Sequence, residues 1–181
     1  MATTHFRGTP VHTVGELPSP GEQAPAFTLV GQDLAPVSLA DLTGRTVVLN
    51  VFPSLDTGVC AASVRTFNER AADLEDTTVL AVSADLPFAA ARFCSAEGIE
   101  NVRPASVFRS DFGAVYGVEL ADGPMAGLLA RAVVVVDPEG RVVHTELVPE
   151  ITAEPDYETA LAAFVDAAPL RIAEDGSVVS Q

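Results

Sequence analysis

A chain of 181 residues that is 48% hydrophobic can bury a substantial core, and it is read as one domain over residues 1–168 with a short tail over 169–181. The formal net charge of -15 argues against nucleic acid and anionic membrane surfaces as partners. All ten basic residues are arginines, which excludes a lysine Schiff base, a lysine general base and the lysine of a phosphate-binding loop.

From Met1 to Gly15 the chain is polar, without the apolar segment of a secretory leader, and no run is long enough to span a membrane. A cytoplasmic protein with no membrane partner is therefore expected. There, two cysteines more often mean redox or metal chemistry than a permanent structural disulfide. Metal is the poorer choice, because Cys60, Cys94, His5, His12 and His144 show no ligand spacing. No cofactor-binding motif or glycine-rich phosphate loop is present either.

The first elements are strands. Thr3–Arg7 and Val11–Val14 flank Gly8-Thr9-Pro10 as a short hairpin, Pro25–Val30 enters a further strand, and Pro36–Leu39 is a brief one. Strand 46–52 then leads to a helix over 60–74. Strand 78–83 leads to a second helix, opened by Asp85 and Pro87 and stopped at Gly98. Two such units in series imply parallel strands joined by right-handed crossovers. A short helix over 110–116 follows, then the turn Ala121–Pro124. The β-branched run Ala132–Val136 turns at Asp137-Pro138-Glu139-Gly140 and returns as Arg141–Leu147. A helix over 155–167 closes the domain, and Asp175-Gly176 either turns a small tail hairpin or belongs to a loosely ordered end. This order predicts an α/β protein of thioredoxin-like fold: a central mixed β-sheet flanked by helices, with an N-terminal β-hairpin added.

Chemistry concentrates at the strand-to-helix junction Pro53-Ser54-Leu55-Asp56-Thr57-Gly58-Val59-Cys60. A cysteine in the first turn of a helix meets unpaired N–H groups and partial positive charge, and both favour thiolate over thiol. Pro53 ends the strand, and Thr57 stands where an N-cap would bond the N–H of Cys60 or its sulfur. The plainer alternative is that Cys60 extends the core stripe of Val64, Phe67, Ala71 and Leu74 backwards. Cys94, beside Phe93, reads on its own as a core residue, and Arg131 as a strand-edge arginine.

The stretch Phe52 to Arg65 resembles the peroxidatic-cysteine signature of the peroxiredoxins, and most closely their thiol peroxidase branch. The resemblance continues through Ser83–Ala89, Arg92-Phe93-Cys94, Ala121–Pro124, Leu128–Val135 and Glu150–Tyr157, covering His5 to about Ala167. It implies that Cys60 attacks a hydroperoxide and that Arg131 is the cation beside its sulfur. It further implies that Thr57 hydrogen-bonds thiolate or peroxide, that Pro53 shields the thiolate from water, and that Cys94 is the resolving cysteine. Cys94 would close an intrachain disulfide with Cys60. Because the two thiols start on different helices and a disulfide needs Cα atoms within about 7 Å, local unfolding is expected in each cycle. The same resemblance implies thioredoxin as reductant, hydrogen peroxide and organic, especially lipid-derived, hydroperoxides as substrates, and a homodimer. Phe88, Phe108 and Phe112 are candidates for an apolar pocket or interface, with a core position as the plainer alternative for all three. A thiol–disulfide oxidoreductase would carry a C-x-x-C pair, of which Cys60-Ala61-Ala62-Ser63 keeps only the first member. A peroxide sensor shares the first oxidation step and is separated from the enzyme only by turnover.

Overall fold

In the computed structural model, residues 1–167 and the pairs 171–172 and 178–179 are described. The chain opens with β1 (Thr3–Phe6) and β2 (Thr9–His12), an antiparallel hairpin turned at Arg7-Gly8, both at positive φ. Next come β3 (Thr28–Gly31), β4 (Pro36–Ser38) and a single 3-10 turn at Ala40–Leu42. After these the alternation begins: β5 (Thr46–Val51), α1 (Gly58–Ala71), β6 (Thr77–Ser83), α2 (Pro87–Glu97) and β7 (Val102–Ser106). A short α3 (Phe112–Val115), β8 (Ala132–Val136), β9 (Val142–Leu147) and α4 (Tyr157–Ala167) complete the domain. In the tail, β10 (Arg171–Ile172) pairs antiparallel with β11 (Val178–Val179). The expected Asp175-Gly176 turn and the 168/169 boundary lie outside the described residues.

Seven strands form one sheet in the order β4-β3-β7-β6-β5-β8-β9. The central trio β5, β6 and β7 is parallel, as two βα units require, and the outer pairings are antiparallel. All six residues of β5 and all five of β8 are buried, because both faces of the sheet are covered. On one face Leu49, Val51, Leu80, Val82 and Val134 meet Phe27, Phe112 and Tyr116. On the other, Val48, Val79, Ala81, Val133 and Val135 lie under α1, α2 and α4 through Val64, Phe67, Ala90 and Ala160. The mixed sheet, its flanking helices and the added hairpin match the thioredoxin-like arrangement expected from the sequence.

Four local readings need correction. The hairpin turns at Arg7-Gly8, so Thr9 and Pro10 belong to β2, which ends at His12 and not at Val14. β7 is a full strand where none was expected: Pro104 interrupts its β pattern, yet β3 pairs only with Ala105 and Ser106, so no ladder donor is missed at Pro104 on that side. The first helix ends at Ala71 instead of about residue 74. Phe112 is wholly buried and stacked on Tyr116 with ring centroids 4.4 Å apart, so it is core and not surface.

The N-terminal segment is seated by a tight approach. Gly117 has φ +67, and a Cβ there would lie 2.3 Å from the carbonyl oxygen of Glu16, so only glycine fits against this backbone. The Val14 N–H donates to Glu119 O at 2.8 Å beside it, fixing where the hairpin leaves the domain.

Candidate active site at the start of α1

The β5 ladder runs on to Phe52, whose N–H donates to Val82 O at 3.1 Å, and stops at Pro53, which is buried and has no N–H to offer. The chain then turns through Ser54–Asp56. Thr57, in extended conformation (φ -104, ψ 143), caps α1, and its Oγ1 accepts the Cys60 N–H at 3.4 Å. Cys60 thus occupies the first turn, where backbone donors are unspent and the helix dipole favours negative charge. Its residue exposure is 0%, whereas Asp56, Thr57 and Gly58 are exposed around it.

Arg131 immediately precedes β8, and the Val51–Ala132 pairing between β5 and β8 carries it to the same end of the sheet as Cys60. Arg131 Nη2 donates to Cys60 Sγ at 3.1 Å, and Nε donates to Ile151 O at 2.8 Å. The side chain is 1% exposed, forms no ion pair with a carboxylate among the described residues, and leaves Nη1 buried with no partner there. Isolating a guanidinium from water without an anion is costly. The sulfur is the one acceptor its Nη2 meets among the described residues, which sets the cation directly against Cys60. The open Nη1 is a second donor of the same guanidinium.

Asp85 holds the turn before the helix, a contribution that sequence reading missed. Its carboxylate accepts from Ser54 Oγ at 2.8 Å, Leu55 N–H at 2.7 Å and Ser83 Oγ at 2.8 Å. The expected role of opening α2 falls instead to Leu86 and Pro87, with no side-chain cap. Below the helix, buried Asn50 donates to Ser63 Oγ at 3.2 Å, and Ser63 donates to Cys60 O at 2.8 Å.

Cys94 lies near the end of α2 in the same apolar layer as Cys60, and both are free thiols. Burial pushes the Cys94 thiol above the usual range. No hydrogen bond reaches its sulfur among the described residues. Of the five residues singled out by the sequence, the structure bonds Arg131 to the Cys60 sulfur and Thr57 to the Cys60 N–H, buries Pro53 in the turn between β5 and α1, and sets Cys94 on the following helix.

A sheet of this order, with a thiol in the first turn of the helix after β5 and a buried arginine against it, defines a thioredoxin-like protein. Comparison with known proteins agrees. The redoxin family model matches residues 19–161. The chain is 63% identical over 164 residues to the thiol peroxidase of Mycobacterium tuberculosis, covering 91% of this chain and 99% of that protein. It is 60% identical, with the same coverage, to the thiol peroxidase of Corynebacterium glutamicum. Among solved structures, a peroxiredoxin-like protein from Aquifex aeolicus superposes with a TM-score of 0.85 at 40% identity, over 91% of this chain and 96% of that one. The chain belongs to the redoxin family and, within it, to the thiol peroxidase group of the peroxiredoxins.

Proposed function

We propose that the protein reduces hydrogen peroxide and organic hydroperoxides, with Cys60 as nucleophile and Cys94 as resolving thiol. The observation that carries this reading is Arg131, a buried cation bonded to the Cys60 sulfur and, among the described residues, to no carboxylate. The Cys60 thiolate attacks the terminal peroxide oxygen; the O–O bond breaks, sulfur is oxidised by two electrons to sulfenic acid, and the departing alkoxide or hydroxide takes a proton. In this reading the Arg131 Nη1 donor bonds the peroxide oxygens, joined by the Thr57 hydroxyl once it turns from the Ser54 carbonyl it bonds at 3.3 Å, and no general base is required once the sulfur is ionised. Pro53, which brings no N–H to the site, keeps water from the thiolate. Peroxide enters by the exposed turn at Thr57 and Gly58.

Cys94 then gives its proton to the sulfenic oxygen, which leaves as water while the S–S bond forms. The two cysteines sit in separate formed helices, so closure unwinds the first turn of α1 and part of α2. Two electrons from the dithiol of thioredoxin restore both thiols, since the chain holds no third cysteine. Such a cycle suits the reducing cytoplasm. Leu86, Phe88 and Phe108, 52%, 69% and 43% exposed near this end of the sheet, form the apolar face of a homodimer.

Two variants test the cycle. Cys60→Ser abolishes reaction with peroxide. Cys94→Ser retains one rapid oxidation to sulfenic acid, trapped by dimedone, and loses turnover with thioredoxin and its reductase. Turnover of Cys94→Ser at the normal rate would remove Cys94 from the mechanism.

A further inference from the structure

The N-terminal hairpin stands apart from the main sheet, as its own two-stranded unit. Its second strand is tied to Ala121 and Asp122 through His12, whose N–H donates to Asp122 Oδ1 at 2.8 Å and whose O accepts from Ala121 N–H at 2.8 Å. Its first strand and turn bond four consecutive residues, Val148–Ile151. Thr4, 1% exposed, donates its hydroxyl to Val148 O at 2.7 Å; His5 N–H donates to Pro149 O at 2.9 Å, and His5 O accepts from Ile151 N–H at 2.8 Å. The Glu150 carboxylate accepts the N–H groups of Arg7 at 3.1 Å and Gly8 at 2.9 Å across the hairpin turn. It also accepts from the N–H and hydroxyl of Thr152, at 3.0 and 2.8 Å. Underneath, Val11, Leu120, Ala130 and Ile151 form a small buried cluster against which Phe6 packs.

The same four residues hold Arg131 from both sides. Val148 N–H donates to the backbone oxygen of Arg131 at 3.0 Å, and Ile151 O accepts from its Nε at 2.8 Å. A guanidinium is planar, so fixing the backbone and Nε sets the direction of both remaining nitrogens. The position of the Ile151 carbonyl therefore decides whether Nη2 meets the Cys60 sulfur at 3.1 Å. A hairpin serving only to cover apolar surface has no need of a buried hydroxyl bonded to this segment, nor of a carboxylate from the segment bonded back to its turn.

We propose that the hairpin and Glu150 form a clamp that aims Arg131 at Cys60, with Thr4 and Glu150 as its positioning residues. The clamp rests on the reading that Arg131 stabilises the Cys60 thiolate. Neither residue touches the sulfur; both act through Val148–Ile151. The carboxyl of Glu150 is held down at about 2 by the backbone N–H groups it accepts, Gly8 first, so the clamp stays charged wherever a thiolate forms.

The test uses the full-length chain carrying Cys94→Ser, so that Cys60 is the only thiol. Thr4→Val removes the buried donor at nearly constant shape, Thr4→Ser restores it, Glu150→Gln removes the charge at the surface, and Arg131→Lys serves as reference. Each is read by the stopped-flow rate constant for hydrogen peroxide and by the pH profile of Cys60 alkylation with iodoacetamide, with circular dichroism to check folding. Thr4→Val and Glu150→Gln are expected to slow peroxide reaction about three- to tenfold and to move the alkylation profile to higher pH, with Thr4→Ser near the parent. Folded Glu150→Gln and Thr4→Val proteins with parental rates and profiles would overturn the clamp while leaving Arg131 its role. A parental profile in Arg131→Lys would instead overturn the reading of Arg131 itself. Should Thr4→Val not fold, Glu150→Gln alone decides.

Discussion

Cys60 and Cys94 are buried almost equally, at 0% and 7% exposure, in one apolar layer, but their surroundings differ in kind. Around Cys60 the fold assembles a helix start, the Thr57 cap and the Arg131 guanidinium. Around Cys94 it assembles an apolar layer with no hydrogen bond to the sulfur among the described residues, and burial raises that thiol. Low exposure penalises a charge in either place; what separates the two is whether fixed donors replace the lost water. An attacking sulfur needs the first environment. In the proposed cycle Cys94 attacks only after local unfolding has returned it to solvent, so the second costs it nothing in the reactive state.

The comparison breaks most severely if the surroundings of Cys60 are made like those of Cys94. Arg131→Met is expected to slow peroxide reaction about 10²- to 10³-fold, or roughly 3–4 kcal/mol in the barrier. Its melting temperature should be unchanged or higher, because removing a buried cation without a carboxylate partner relieves desolvation. Next in size is Asp85→Ala, which leaves Ser54 and the Leu55 N–H without their shared acceptor. It should cost about 2 kcal/mol in denaturant unfolding and about tenfold in peroxide rate. Thr57→Val removes the cap, with about 1 kcal/mol lost and a smaller fall in rate.

Two pH measurements sharpen the contrast further. The Cys94 thiol is raised in the folded state, so its stabilising effect is complete below the unfolded thiol pKa and is lost as pH rises through the folded one. Cys94→Ala should therefore be less sensitive than the parent to alkaline unfolding. Glu150 has the opposite sign: its folded value of about 2 lies below the ordinary 4.5, so its contribution is present above 4.5 and lost as pH falls toward 2. The melting difference between the parent and Glu150→Gln should shrink across that acid window, the smallest of these effects.

What could be read from the chain beforehand follows from the range of the interactions. Thr57 and Cys60 share one helix turn, so capping and spacing place them together without reference to the rest of the fold. The parallel core follows from alternating apolar runs of the right period. β7 escaped because Pro104 contradicts strand propensity, and only the neighbouring strand's short reach makes it tolerable. Asp85 lies 31 and 30 residues from Ser54 and Leu55, and Thr4 lies 144 from Val148; no local pattern marks such bonds. Arg131 was marked by family resemblance alone, since one arginine before a valine strand has no distinctive spacing.

Strand β8 can be regarded as a length standard. Cys60 follows the end of β5 and Arg131 precedes the start of β8, and the Val51–Ala132 pairing is the last in a ladder of five that fixes one against the other. Sliding that ladder by a single residue would turn Arg131 to the opposite face, and sliding it by two would carry the guanidinium about 7 Å along the sheet. A donor set 3.1 Å from sulfur tolerates neither. The unbroken valines therefore do more than fill the core: their register calibrates a distance that no residue of the active site could set by itself.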